Sequence, residues 1–367
     1  MNAMRELFAL VRWIFRKRPP WAILLKAGLT LIALAVGGGL ALTLGVVDGD
    51  QSFDIGIVND ATPSWVTSAL FVLGLGLCII ATVLCVSGWR EEQRINAQQL
   101  CLVVELRGLR QMPGSPLVDA VRNTTKSACQ SLPIDLRESL YDGDITHPGR
   151  ALDKVRNIHQ RIVEASQMRS PSDVSVMFGG LAPVPFTFLA GVLIDDERYV
   201  EIWDWNRHKR HWAKLDAHDD GDRFQINGIP EALVSRPVAL CVSVSYEIDT
   251  GLVERCIPDA CIVSMQLNTR STDTHWSEQK QQALGQQFVE TVLELHRQGV
   301  EQIHLFLAAQ SSVVFRLGAL YDRRNMPTLL VYQYEPAGDA GYPWAVMMPV
   351  NGNGEVSIVY DSGDVSD

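Results

Sequence analysis

The 367-residue sequence predicts an α-helical two-span membrane region followed by a cytoplasmic α/β domain built on a parallel sheet. Three observations lead there. Two uncharged apolar runs lie near the N-terminus. Charged residues make up only 20% of the chain, where a soluble domain carries about a quarter. The C-terminal third alternates strand-like and helix-like segments.

The first run extends from Ala27 to Val47 and the second from Trp65 to Trp89. Each reaches the roughly 20 residues needed to cross a bilayer core. In lipid such a run must be helical, because no water satisfies an open backbone. Trp21, Trp65 and Trp89 stand at or near the run ends, at the depth amphipathic rings prefer, and Lys26 can snorkel outward. Arg5, Arg12, Arg16, Lys17 and Arg18 precede the first run, and Arg90 and Arg94 follow the second. The intervening loop carries Asp48, Asp50, Asp54 and Asp60 without a cation. The positive-inside rule then places both termini in the cytoplasm and the short acidic loop outside. A cleaved leader fits less well, because the small pair Ala33 and Ala35 lies in mid-run. Ala33, Gly37, Ala41 and Gly45 recur every four residues. On one helix face they would allow close helix packing, although small residues are also common in such helices.

Residues 1–89 thus form the membrane region, and residues 90–170 are expected to be a helical juxtamembrane connector. In the connector Ile95, Leu100, Leu102, Val103 and Leu106 prolong an apolar face, Pro113, Gly114 and Pro116 interrupt it, and Ala151 to Met168 resumes a helix. Ser170, Pro171 and Ser172 mark the boundary to residues 171–367.

In the last domain Val174 to Phe178 is a strand candidate, followed by Gly179 and Gly180, which are carried as ligand-binding candidates. Val238 to Ser245 and Cys261 to Gln266 are β-rich, and Trp276 to Arg297 is amphipathic with a helical period. Strand Ile303 to Leu307, helix Ser312 to Tyr321 and strand Thr328 to Tyr334 complete a right-handed parallel unit. Ligands of such sheets bind at the carboxyl ends of strands, near helix N-termini. That geometry selects Ala308, Ala309, Gln310, Ser311 and Ser312. A capped helix behind a buried strand has the same pattern.

Charge narrows the partners. Lys and Arg total 32 against 42 for Asp and Glu, net −10, and residues 95–367 alone hold 24 basic and 35 acidic groups. A long nucleic acid needs a basic surface and is excluded as partner. A small anion needs only local donors. Arg207, Lys209 and Arg210, with His208 and His211, adjoin Trp203, Trp205 and Trp212. Indole faces stack on bases while cations meet phosphates, although a solvated hairpin turn would look alike. Tyr332 and Tyr334 share a strand face and could floor a base or merely pack. Seven cysteines show no CxxC pair, and there is no HExxH, GxSxG or phosphate-loop motif. The acidic cluster Asp216, Asp219, Asp220 and Asp222 reads as a polar turn. No catalytic residue, metal or cofactor is assigned.

Residues 303–335, IHLFLAAQSSVVFRLGALYDRRNMPTLLVYQYE, resemble the C-terminal half of the SAVED domain family. Gln310 stands where many members are expected to have Pro. Two spans ahead of such a domain resemble the transmembrane SAVED effectors of bacterial CBASS anti-phage systems. The resemblance implies two fused CARF-like, Rossmannoid subdomains that bind a cyclic oligonucleotide, a cyclic trinucleotide above all, made by a partner nucleotidyltransferase. It further implies ligand-driven homo-oligomerisation and disruption of inner-membrane lipid in abortive infection. Two other readings stay open: a membrane-tethered cyclic-nucleotide hydrolase using Ser311 or His304, and a two-span scaffold for a protein partner.

Overall fold

In the computed structural model the described residues are 20–36, 40–41, 56–57, 63–108, 115–125, 127–141, 144–166, 169–170, 173–194, 200–230, 236–336, 341–349 and 356–360. They fall in two compact units, Met1–Ala97 and Gln98–Asp367.

The first unit holds helix α1 (Pro20–Val36), the short strands β1 (Leu40–Ala41) and β2 (Gly56–Ile57), paired antiparallel, and helix α2 (Ser64–Gln98). Within α2, Trp65–Glu91 is long and apolar enough to cross a membrane, whereas α1 is a shorter apolar helix. Large apolar side chains, among them Ile23, Leu29, Val72, Ile79 and Val83, stay exposed on both. Trp21 clusters with Ala81 and Cys85. Further along α1, a Cβ on Gly28 would lie 2.7 Å from the Gly74 carbonyl oxygen, and one on Gly74 2.9 Å from Ile32 Cγ1. As numbers rise along α1 the contacts fall along α2, so the pair is an antiparallel hairpin.

This corrects the first span. The helix ends at Val36 rather than Val47, and Ala41 pairs with Gly56 in a strand. Three consecutive glycines, 37–39, follow Val36 in the sequence, and each disfavours helix by about 1 kcal/mol relative to Ala. Ala33 is exposed and does not share a helix face with Ala41. Gly37 and Gly45 lie outside the described residues, as do Arg5, Arg12, Arg16, Lys17, Arg18 and the loop aspartates on which the orientation rests. Close approach of the helices runs through Gly28 and Gly74 instead.

The second unit opens with strand β3 (Leu100–Arg107), helix α3 (Leu117–Arg122) and strand β4 (Ala128–Asp135). A small hairpin of β5 (Leu140–Tyr141) and β6 (Asp144–Ile145) leads to helices α4 (Pro148–Arg156) and α5 (Ile158–Ser166). Strand β7 (Val174–Leu181), helix α6 (Val184–Ile194) and the antiparallel pair β8 (Val200–Asn206) and β9 (His211–Lys214) follow. Among the described residues these strands form one sheet, ordered β4-β3-β7-β8-β9, with the first four parallel.

Residues 90–170 are therefore not a helical connector. β3 is an inner strand with β7 on one side and β4 on the other, and the unit starts at Gln98 rather than near residue 171. β3 was hidden because it is buried on both faces and so lacks strand alternation. β4 carries Pro133, tolerated because β4 is a sheet edge.

The chain continues with β10 (Gln225–Asn227), β11 (Val238–Ser243), α7 (Thr250–Cys256), β12 (Cys261–Gln266), α8 (Glu278–Arg297), β13 (Gln302–Ala308), α9 (Ser311–Ala319), β14 (Thr328–Gln333), β15 (Trp344–Met347) and β16 (Ser357–Tyr360). The second sheet among the described residues runs β10-β12-β11-β13-β14-β15-β16, parallel from β12 to β14. β11 reads VALCVS and is buried on both faces: Val238, Leu240 and Val242 face the main core, Ala239 and Cys241 a smaller one. The expected α/β elements are present, with ends shifted by a few residues.

The two sheets are joined through equivalent helices. α6 follows β7 and α9 follows β13, and the helices cross where a Cβ on Gly191 would strike the Phe315 carbonyl oxygen and one on Gly318 the Phe188 carbonyl oxygen. Phe178 of β7 stacks on Phe315 of α9 with centroids 3.7 Å apart. α6 is apolar all round because it is buried all round. One core cluster spans both halves.

Candidate functional site

Because α6 and α9 begin side by side, the carboxyl ends of both sheets open onto one cavity of about 330 Å³. Such a volume suits a small-molecule site. The first half contributes Ala182 and Thr187 at the start of α6, with Asp204, Trp205, Arg207 and His208 from β8 and its turn. The second contributes Ser245 and Tyr246 beyond β11, Asp273, His275 and Trp276 beyond β12, and Ala309, Gln310 and Ser311 before and in α9. Apolar walls with a few convergent polar groups are what a ligand site needs.

The helix N-terminus is not open to a ligand anion as the sequence suggests. Asp204 fills it. Its Oδ2 accepts from the Ser312 backbone N–H at 3.0 Å, and its Oδ1 from the Trp205 N–H at 2.7 Å. The same Oδ2 lies 3.4 Å from His275 Nε2. Burial pushes the Asp204 carboxyl up, but His275 and the Ser312 donor outweigh it and hold the acid below its ordinary range. Gln281 Nε2 continues the network, donating to the His275 carbonyl at 2.7 Å and to Ser312 Oγ at 2.9 Å.

Several groups around the cavity are shielded from water yet have no hydrogen-bond partner: His275 Nδ1, Gln310 Oε1 and Ser311 Oγ. Unpaired buried polar atoms cost stability, and three of them gather beside this one cavity.

Of the residues selected from the sequence, the structure brings Ala309, Gln310, Ser311, Trp205 and Arg207 to the cavity wall. The others lie elsewhere. Ala308 ends β13, where its carbonyl accepts from Ser245 N and Oγ, and Ser312 serves Asp204 and Gln281. Gly179 and Gly180 make room for neighbours, since a Cβ would lie 2.8 Å from Leu117 Cδ2 and from Leu106 Cβ respectively. Trp203 is buried beside Trp212 in the cluster under α3, with Lys214 Nζ 5.2 Å from its ring centre. Lys209 and Arg210 stand exposed in the β8–β9 turn, where Arg210 takes a left-handed φ of 51°. Tyr332 stacks on Phe306 and meets His304 Nδ1 at 2.8 Å in the smaller core of the second sheet. Tyr334 lies half exposed against Tyr342, centroids 5.5 Å apart. The Asp216–Asp222 cluster is a turn braced by ion pairs, Asp219 with Arg223 and Asp220 with buried Lys280 at 2.7 Å.

Sequence reasoning missed Asp204, Ser245, Tyr246, Asp273, His275 and Trp276. Asp204 had a legible signal, a carboxylate alternating with two tryptophans on a strand. His275 had none, being a lone histidine ahead of a helix.

Comparison with known proteins accords with this architecture. Residues 152–348 match the SAVED family, described as "SMODS-associated and fused to various effectors sensor domain". Residues 1–152 match the "SAVED-fused 2TM effector domain". That second match reaches past α2 into β3 and β4, so its end differs from the structural boundary at Gln98. No curated protein matches. Similar solved structures include the Acinetobacter baumannii Cap4 SAVED/CARF-domain receptor with the cyclic trinucleotide 2'3'3'-cAAA, at 11% identity and TM-score 0.45, covering 78% of this chain and 58% of that one. The same receptor with 3'3'3'-cAAA gives 10% identity and 0.44, covering 78% and 59%. The Moraxella osloensis Cap4 receptor gives 11% and 0.43, covering 77% and 60%. This chain thus spans less than two thirds of the length of those receptors. The sensor match covers more than half of the chain and the effector match most of the rest, so the chain belongs to the SAVED family, as a sensor domain fused to a membrane effector of the 2TM type.

Proposed function

We propose that the chain is a membrane effector whose SAVED domain binds a cyclic oligonucleotide, a cyclic trinucleotide above all, in the cavity between its two halves. Binding drives homo-oligomerisation, and the hairpins of several copies then disrupt the inner membrane in abortive anti-phage defence of the CBASS type. The messenger comes from a partner nucleotidyltransferase, and both termini lie in the cytoplasm. The carrying observation is the cavity at the start of α6 and α9, with Trp205 and Trp276 on its walls, Arg207 beside them and unpaired polar atoms within. Bases can stack on the indoles and a phosphate can meet Arg207. The response is a population shift, so ligand must bind the assembled state more tightly than the single chain.

The test is a thermal-shift screen of the full chain in detergent against cyclic di- and trinucleotides, followed by light scattering and dye release from reconstituted vesicles. The expected result is a rise in Tm with one of them, growth in mass and ligand-dependent leakage. No shift with any of them removes the ligand reading, and a shift without growth in mass removes the gating scheme. A hydrolase reading draws on one observation: Ser311 Oγ and His275 share the cavity, with Asp204 behind the imidazole. Product formed from labelled ligand would favour it over the effector without catalysis. His304 takes no part, being held by Tyr332.

A further inference from the structure

Two unpaired side chains at the head of α9 differ in what they can do: the Ser311 hydroxyl can donate or accept, whereas Gln310 is held to one role. Gln310 Nε2 donates to the Ser271 backbone carbonyl at 2.8 Å. A carbonyl only accepts, so the amide cannot turn over, and Oε1 is fixed as an acceptor. That oxygen is buried and unpaired. His275 is only 4% exposed, with Nε2 3.4 Å from the Asp204 carboxylate, which also only accepts. The imidazole therefore turns its Nε2–H edge toward Asp204, and Nδ1 is left without a partner. Ser245 Oγ spends its proton on the Ala308 carbonyl at 3.0 Å, which again leaves lone pairs. The charged donor among the wall residues, Arg207, stands exposed at the turn. Cation outside and acceptors inside suit a ligand that presents phosphate at the rim and hydrogen-bond donors at depth.

We infer that Gln310, backed by His275, is the residue with which this cavity selects a nucleobase carrying an exocyclic amine, as adenine, cytosine and guanine do and uracil and hypoxanthine do not. The inference rests on the reading of the cavity as a cyclic-nucleotide site and adds to it the chemistry of the base edge. A base that offers an oxygen where the amine stands would face the Gln310 carbonyl oxygen, acceptor against acceptor. Sites built on buried hydrogen bonds reject such analogues strongly, because the protein's own group is left unpaired.

The experiment compares a cyclic trinucleotide of adenosine with its inosine counterpart, in uniform and in mixed linkage, by calorimetric titration into the full chain in detergent. Inosine keeps ring size and stacking, replaces the amine by a carbonyl and turns N1 from an acceptor into an N–H donor. The wild-type chain is expected to bind the adenosine form about 10-fold to 100-fold more tightly. In Gln310→Met the preference should narrow to within about 3-fold, chiefly through loss of adenosine affinity. Thermal unfolding of Gln310→Met checks its folding, while the wild-type comparison stands without any variant. Equal affinity for the two ligands overturns the role of Gln310, and so does a preference that survives in a folded Gln310→Met. Absence of binding by both overturns the nucleotide reading of the cavity together with this inference, whereas binding without discrimination overturns the inference alone.

Discussion

Asp204 is a charge removed from water, and its stability depends wholly on its partners. Two backbone N–H groups and His275 hold the carboxylate, tying the end of β8 to the first turn of α9. Its acidity in the fold is below the ordinary range, so its stabilisation is present above the unfolded carboxylate value, near about 4, and is lost as pH falls through the lower folded value. Asp204→Ala is expected to cost about 1–3 kcal/mol for each buried donor it leaves without an acceptor, the Ser312 N–H foremost. The gap from wild type should shrink below about pH 4, and thermal unfolding at several pH values checks both. At this scale the sequence was half legible. Gln310 and Ser311 stood out from their place between strand and helix, and they do line the cavity. His275 did not, because its meaning lies in its contact with Asp204, 71 positions away along the chain.

Among elements, the crossing of α6 and α9 sets the cavity's width. Gly191 and Gly318 let the two backbones touch, and a methyl group at either would meet a carbonyl oxygen of the opposite helix. Backbone cannot step aside as a side chain can. Gly318→Ala should therefore destabilise by about 1–3 kcal/mol, the usual cost of overpacking, and should also weaken ligand binding. Gly149→Ala in α4, where a Cβ would meet nothing within 4 Å, should be neutral or stabilising. Denaturant unfolding of the two variants checks the contrast. Periodicity revealed α8 because it has one wet and one dry face. It misassigned β3 because a strand covered on both sides reads as a plain apolar run, and it passed over β4 because Pro133 argues against a strand unless the strand is an edge.

For the whole molecule, the second compact unit begins at Gln98. A fragment of residues 171–367 would lack β3 and β4, leave β7 as a raw edge and open the shared core to water. It is expected to aggregate, whereas residues 98–367 should be soluble and unfold cooperatively. Size-exclusion chromatography and circular dichroism of both fragments check this. Composition had already assigned the excess apolar content to the N-terminal runs and the acidity to the remainder, and it had set aside a long polyanion as partner. The strand–helix–strand order likewise announced the parallel sheet. These are properties of local pattern and summed charge, which need no contact map. The folded structure alone decided that residues 98–170 pack into the C-terminal unit, that the helices of the membrane unit meet at Gly28 and Gly74, and that a carboxylate from one half of the C-terminal unit occupies the helix end of the other. Each of these depends on residues distant in sequence coming within a few ångströms, and no window along the chain records that distance.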